Sequence, residues 1–474
     1  MNQISFRDPD GFLFESDDRL YRIIFRGWSG ELEIMDNESF RNFSIPVHQK
    51  ISDSLNEYFS KLLIKEGFDL SNVIAIFEVE KLSLITYPWE WTPIMLINAG
   101  IFTLELQKEL MNSGHSLKDA SFFNIQFESD KIFFIDLLSI KHKDNFYPWI
   151  PYGQFLRHFI YPSTLLKYGK IQNLKLLWNF VDGIDPFFAG NLIPSYSVFN
   201  MFEFLHFTIA THIKKETQQS ITNKLPEKNN SQIKLANLLD WNISYLEKIK
   251  SKLNRKNSYW AEYYKRDVSD EYFINKSELL RKFLESIPTE GRALDLGANI
   301  GAYSLIFLDY YNELICLEKD TVCCEVMNTN LSTIMPFGNG KKWHVINADI
   351  TRPDPDLGWM NKERKSLLSR IKSELVSALG LIHHIYFAES IDFYKQAELF
   401  DSLSTKYLLT EFISSDDDKV KIISRYNPSR LSDYSRESFV KAINSKFTLE
   451  KSVKVGSSRE LFLFIKTNKF EVED

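Results

Sequence analysis

A chain of 474 residues is too long for one ordinary core and suits two or three domains. Its 44% hydrophobic content, 25% charged content and 38 Phe exclude a disordered protein, and a net charge of -6 with scattered Lys and Arg excludes a nucleic-acid footprint. Arg7, Asp8 and Asp10 stand where a secretory signal needs an apolar run, and no later run reaches membrane-spanning length. A cytoplasmic protein without membrane insertion is therefore expected.

Gly11 to Ser16 and Leu20 to Phe25, joined at Asp17-Asp18, read as a hairpin. Ile51 to Glu66 reads as a helix, and Val73 to Phe77 with Ser83 to Tyr87 as a strand pair ended by Pro88. Apolar spacing from Ile94 to Met111 predicts a helix, with Gly114 as its left-handed cap. After a loop from Ser116 to Phe122, alternation from Phe123 to Glu128 and a return from Lys131 to Leu137 predict a second hairpin. Helical segments continue to about Ile213, and the polar run Lys214 to Lys234 reads as a loop at a domain boundary. Leu235 to Ser286 has helical periodicity and forms a connecting layer carrying Trp241, Trp260, Tyr263 and Tyr264.

From Arg292 strands and helices alternate: Ala293-Leu296, a helix from Ala302, Leu314-Leu317, a helix from Asp320, and Trp343-Ala348. There follow a basic helix near Asn361-Lys372, whose default is a solvated face, a strand near Leu375-Leu381 and a helix near Ile391-Leu403. Tyr407-Phe412 and the pair Phe447-Val453 and Leu461-Ile465 close the series, predicting a mostly parallel sheet with ligands at the carboxyl ends of its strands. Cys316, Cys323 and Cys324 lack the spacing of a zinc or redox motif, so structural thiols are expected, and no clustered ligands suggest a bound transition metal.

Three acids stand at successive strand ends. Asp295 opens the turn Asp295-x-Gly297-x-Asn299-x-Gly301, where glycine and asparagine tolerate positive φ; Glu318 ends the second strand and Asp349 follows the third. These residues resemble the motifs of class I S-adenosylmethionine-dependent methyltransferases. The resemblance implies a Rossmann-like α/β fold with a seven-stranded sheet, Asp295 facing the methionine amino group, Glu318 the ribose hydroxyls and Asp349 the adenine amino group. A dinucleotide-binding unit is the alternative, but its GxGxxG spacing is not met. Leu381-Ile382-His383-His384 is similar to a stretch of small-molecule methyltransferases; His383 or His384 is a candidate base for an acceptor hydroxyl, or the pair only shapes the cofactor pocket. Glu411 is a third candidate, as base or as orienting group. No Asn-Pro-Pro-Tyr stretch follows the fourth strand, which argues against nucleobase amino groups as acceptors. Gly358-Trp359, Glu363 to Ser366, Arg370, Glu411-Phe412, Asp433-Tyr434, Phe6 to Pro9 and Tyr87 to Trp91 resemble a bacterial family related to nodulation proteins, over most of the chain.

Asp119, Asn124 five residues later and Asp136 ending a hairpin resemble the catalytic segment of the protein-kinase-like fold. The resemblance implies an α+β bilobal domain, Ser83 to Tyr87 as its hinge strand, Asp119 toward an attacking hydroxyl, and Asn124 and Asp136 as magnesium ligands for ATP. The Gly-rich phosphate loop is missing, Leu-Lys precedes Asp119 in place of His-Arg, and Arg22 is the substitute for a strand lysine. The expected plan is a kinase-like domain over 1–235, a helical connector over 236–285 and a methyltransferase domain over 286–474. Its expected function is methyl transfer to a small-molecule or glycan-like acceptor, with or without ATP-dependent phosphorylation. The alternative is a pseudokinase-type binding or scaffolding protein whose methyltransferase half has low or no turnover.

Overall fold

The computed structural model describes residues 2–3, 7–28, 43–50, 57, 59–61, 64, 70–143, 145–209, 228–253 and 257–467. They form two compact units, 1–255 and 256–474. The division passes through the expected connector: helix Lys228–Leu253 belongs to the first unit and helix Asp270–Leu284 to the second. Most of the helix expected over Ile51 to Glu66 lies outside the described residues.

The first unit opens with strands β1 (Asn2–Gln3), β2 (Gly11–Ser16), β3 (Arg19–Phe25), β4 (His48–Lys50) and β5 (Val73–Val79), in the antiparallel order β1-β2-β3-β5-β4. Asp17 and Asp18 both take positive φ, 52° and 61°, which suits a two-residue turn joining twisted strands. Phe12, Phe14, Tyr21 and Ile76 bury one face of this sheet. Helix α1 (Pro93–Asn112) starts where the Thr92 side chain accepts from Met95 N–H at 3.2 Å, and ends before Gly114 at φ 79°. Three short strands follow, β6 (His115–Leu117), β7 (Ile125–Glu128) and β8 (Lys131–Phe134), then β9 (Ile140–His142), pairing β7 with β8 and β6 with β9.

Ser83 to Tyr87 is not a strand; β5 pairs with β3 and β4 instead. Side chains of β7 take up its backbone: Ser83 N–H donates to Glu128 Oε2 at 3.1 Å and Thr86 N–H to Gln126 Oε1 at 2.9 Å. With those donors satisfied, no neighbouring strand is needed. The return strand ends earlier than expected, at Phe134, with Ile135 N–H adding one last bond of the hairpin to the Asn124 carbonyl at 2.8 Å. The expected boundary loop is corrected at one end, since helix α2 (Lys228–Leu253) already includes Lys228 to Lys234; residues 214–227 lie outside the described residues.

In the second unit helix α3 (Asp270–Leu284) precedes β10 (Arg292–Leu296), α4 (Ser304–Tyr310), β11 (Glu313–Glu318), α5 (Thr321–Ile334) and β12 (Lys342–Asn347). Then come β13 (Ser373–Ala378), α6 (Ile382–Phe387), α7 (Phe393–Leu403), β14 (Ser404–Ile413), β15 (Phe447–Lys454) and β16 (Arg459–Lys466). The seven strands form one sheet in the order β12-β11-β10-β13-β14-β16-β15. The first five are parallel, and β16 runs antiparallel to both its neighbours. The expected α/β architecture is present. One core joins Leu280, Phe283 and Leu284 of α3 to Phe307, Leu314, Trp343 and Leu375, while Phe393, Phe412, Phe439 and Phe462 form an aromatic cluster of their own.

The basic helix expected over Asn361-Lys372 is corrected: only Leu367–Arg370 is helical. Gly358, Met360 and Asn361 take φ of 87°, 54° and 56°, and Leu357 and Arg364 bridge as a small hairpin, so the segment turns back instead of winding on.

Candidate functional site

The strand order switches direction between β10 and β13, the place in such sheets where ligands bind beyond the carboxyl ends of the strands. The glycine turn lies there. Gly297, Asn299 and Gly301 all take positive φ, 70°, 53° and 78°. A Cβ on Gly301 would come within 2.9 Å of Met327 Cγ, and one on Gly297 within 3.1 Å of Leu381 Cδ1, so side chains are excluded on both counts of φ and space.

Asp295 is buried, and Ser304 Oγ donates to its Oδ2 at 2.6 Å; burial pushes its carboxyl up to about 6 despite that bond. Glu318 accepts Asn299 N–H on Oε2 at 2.9 Å and Asp320 N–H on Oε1 at 2.8 Å. Each oxygen keeps a further lone pair for a vicinal diol. Asp349 accepts from Thr351 Oγ1 at 2.7 Å and lies 3.3 Å from Arg352, and these partners outweigh desolvation to hold its carboxyl low.

The segment before α3 is part of this site, which periodicity alone missed. Asn299 Nδ2 donates to the Trp260 carbonyl at 3.1 Å, and Ser258 Oγ donates at 3.1 Å to Asp320, the residue that caps α5. The Trp260 ring meets His384 edge-on at 5.5 Å. Trp260, Tyr263 and Tyr264 thus belong to the second unit and to its candidate site; Trp241 lies in α2 of the first. Their signal in the sequence was a cluster of aromatic residues just upstream of the first strand.

His383 is buried, and its Nδ1 has no hydrogen-bond partner among the described residues. Burial, with the charges of His384, Arg459 and Lys419, holds its imidazole far below the ordinary range; His384 is depressed to about 4, chiefly by burial. Glu411 is fully buried, bound to Lys276 Nζ at 2.7 Å and Tyr272 OH at 2.9 Å, with Arg459 at 3.9 Å. Lys276 also lies over the Tyr303 ring. A Cβ on Gly380, just after β13, would lie 3.6 Å from Glu411 Oε2, so the ion pair stands at the same strand ends as the glycine turn. Missed by sequence reasoning were Lys276 and Arg459, which come from α3 and β16, far apart in the chain.

In the first unit Asp119, Asn124 and Asp136 come together with Arg22. Asn124 Nδ2 reaches the Asp119 carbonyl at 3.4 Å, Arg22 lies 3.5 Å from Asp136 Oδ1, and Arg22 also donates to the Ile135 carbonyl at 2.8 Å. Burial pushes the Asp136 carboxyl up to about 6, with Arg22 pulling it down and Asp8 and Asp119 adding to the rise. Lys118 is taken by Asp8 at 2.9 Å and Asp10 at 2.5 Å. Among the described residues no three His, Cys, Asp or Glu side chains gather as a metal-ligand set. The three cysteines are free and buried.

No family model matches the chain. It is similar to nodulation protein NoeA of Rhizobium meliloti, 25% identical over 97% of this chain and 95% of that protein. Among solved structures, N-methyltransferase NodS of Bradyrhizobium japonicum matches 42% of this chain and 98% of its own, at 8% identity and a TM-score of 0.32. Magnesium protoporphyrin IX methyltransferase of Synechocystis, with bound S-adenosylhomocysteine, matches 41% of this chain and 84% of its own, at 13% identity and a TM-score of 0.31. No helix among the described residues is long and apolar enough to cross a membrane.

Proposed function

We propose that the second unit transfers a methyl group from S-adenosylmethionine to a small-molecule or glycan-like acceptor. One observation carries the reading: at the carboxyl ends of β10, β11 and β12 a positive-φ glycine turn is flanked by Asp295, Glu318 and Asp349. The residues fit the cofactor. The turn needs glycine, because a Cβ on Gly301 or Gly297 would press on Met327 or Leu381, and Glu318, held at both oxygens by backbone N–H groups, is oriented to receive ribose hydroxyls. Bound there, S-adenosylmethionine supplies a methyl group activated on a sulfonium.

The chain's own part is to bind and orient. Burial holds the His383 imidazole far below the ordinary range, so it is a weak base and suits shaping the cofactor pocket better than taking an acceptor proton. Glu411 is better suited to orientation than to proton transfer: its carboxylate is held ionised by Lys276 and Arg459, below the usual range, and it fastens α3 through Tyr272 and Lys276. Trp260 is tied to the glycine turn through its carbonyl, which accepts from Asn299 Nδ2. A crystal structure with S-adenosylhomocysteine tests the assignment: the ribose is expected on Glu318 and the sulfur on the side of Gly380 and His383. A nucleoside bound anywhere else overturns it.

For the first unit we infer a kinase-like binding fold without phosphoryl transfer. The favouring observation is that both basic side chains of the candidate centre are already engaged, Arg22 with Asp136 and Lys118 with Asp8 and Asp10. Asn124 and Asp136 therefore fit a magnesium-nucleotide poorly, and no step is derived through one. Thermal unfolding of the full chain with magnesium-ATP is expected to match that without it to within about 1 °C. A rise of several degrees that Asp136→Ala abolishes would instead assign the unit a nucleotide.

A further inference from the structure

The first unit presents an apolar tip that neither site uses. Helix Pro186–Leu192 and the turns Ser195–Phe199 and Met201–Glu203 pack with the helical segment Phe204–Ile209. Their large side chains point outward: Phe199 is 90% exposed, Met201 67% and Tyr196 60%, with Phe187, Phe188 and Leu205 exposed beside them. Single exposed apolar residues are ordinary, but these six and Val198 within twenty residues, on four short elements packed together, are not.

Amphipathic and basic side chains border the tip. Tyr196 meets Tyr168 at 6.0 Å, and Lys252 lies over the Tyr168 ring. Phe188 meets Phe180 at 5.0 Å, two residues after Trp178, over which Lys175 lies. Lys170 is exposed as well. The acids nearby are largely spent: Glu203 is fully buried among Lys167, Tyr168 and Tyr245, and Asp185 caps Phe187 and Phe188 N–H at 2.8 and 3.3 Å. Asp182 is exposed.

We propose that this tip docks on an anionic lipid surface, with Phe199, Met201 and Tyr196 entering the interfacial layer and Lys170, Lys175 and Lys252 meeting lipid phosphates. Two features favour lipid over a protein partner. A side chain as exposed as Phe199 stands proud of the fold, so a protein would need a matching hollow, whereas a fluid interface needs none. The rim combines tyrosine and tryptophan with lysine, whose apolar stems and charged heads suit the boundary between acyl chain and headgroup. The docking is peripheral and needs no membrane-spanning helix.

Co-sedimentation of the full chain with vesicles tests it, using phosphatidylcholine alone and phosphatidylcholine with about one quarter phosphatidylglycerol. Wild type is expected to sediment with the anionic vesicles. Phe199→Asp with Met201→Asp should lower vesicle affinity at least about tenfold, and Lys175→Glu with Lys252→Glu should remove the preference for anionic lipid, both at unchanged thermal unfolding. Failure of wild type to sediment, or sedimentation that the Phe199/Met201 pair leaves unchanged, overturns the proposal. So does a wild-type dimer in light scattering that the same pair renders monomeric, because the tip would then be a contact between copies.

Discussion

His384 shows how a single residue's surroundings fix its chemistry. Meeting the Trp260 ring edge-on, its imidazole is depressed from 6.5 to about 4, mainly because burial disfavours the charged ring. Above pH 6.5 the ring is neutral whether the chain is folded or not. Below it the unfolded chain takes up a proton that the folded chain refuses until about pH 4, so stability falls across that window, by about 3 kcal/mol in all. Urea unfolding of wild type and His384→Gln at several pH values checks this: wild type should lose more stability between pH 6.5 and 4, and parallel curves would show an ordinary imidazole. The residue type and its place after the fourth strand were legible in the sequence. Its neutral state was not, because that depends on burial by the folded chain and on Lys319 and Lys419, which the local sequence does not show.

At the scale of elements, the pair Lys276–Glu411 ties α3 to β14. Both side chains are buried, so removing one strands the other's charge: Lys276→Ala or Glu411→Ala should each destabilise by about 3–5 kcal/mol in denaturant unfolding. The double change Lys276→Met with Glu411→Gln should recover most of that loss. Equal losses in single and double variants would mean that the cost is packing and not charge. Alternating apolar and polar stretches revealed the strands of the seven-stranded sheet and α7, but not the short strands β1, β4, β6 and β9. They misread Ser83 to Tyr87, where Gln126 and Glu128 satisfy the backbone in place of a strand, and Asn361 to Lys372, where Gly358, Met360 and Asn361 reverse the chain. In both segments the deciding partner or dihedral lies outside any periodicity.

The whole molecule comprises two compact units, and every residue placed at the proposed methyl-transfer site, from Ser258 to Arg459, lies in the second. A fragment covering 257–474 should accordingly fold and bind S-adenosylhomocysteine within about threefold of the full chain. Loss of binding in a folded fragment would mean that the first unit completes the site. The cofactor acids and glycine turn were readable because they fall at fixed offsets from strand ends; the bond from Asn299 to the Trp260 carbonyl and the ion pair of Lys276 with Glu411 arise only in the folded unit. The central claim is tested most directly by calorimetric titration of S-adenosylhomocysteine into the full chain and into Glu318→Ala. Wild type should bind, and the variant should be weaker by roughly thirtyfold or more, as two charge-assisted ribose hydrogen bonds are lost. No heat with wild type at high protein concentration, or equal affinity in the two proteins, would contradict it.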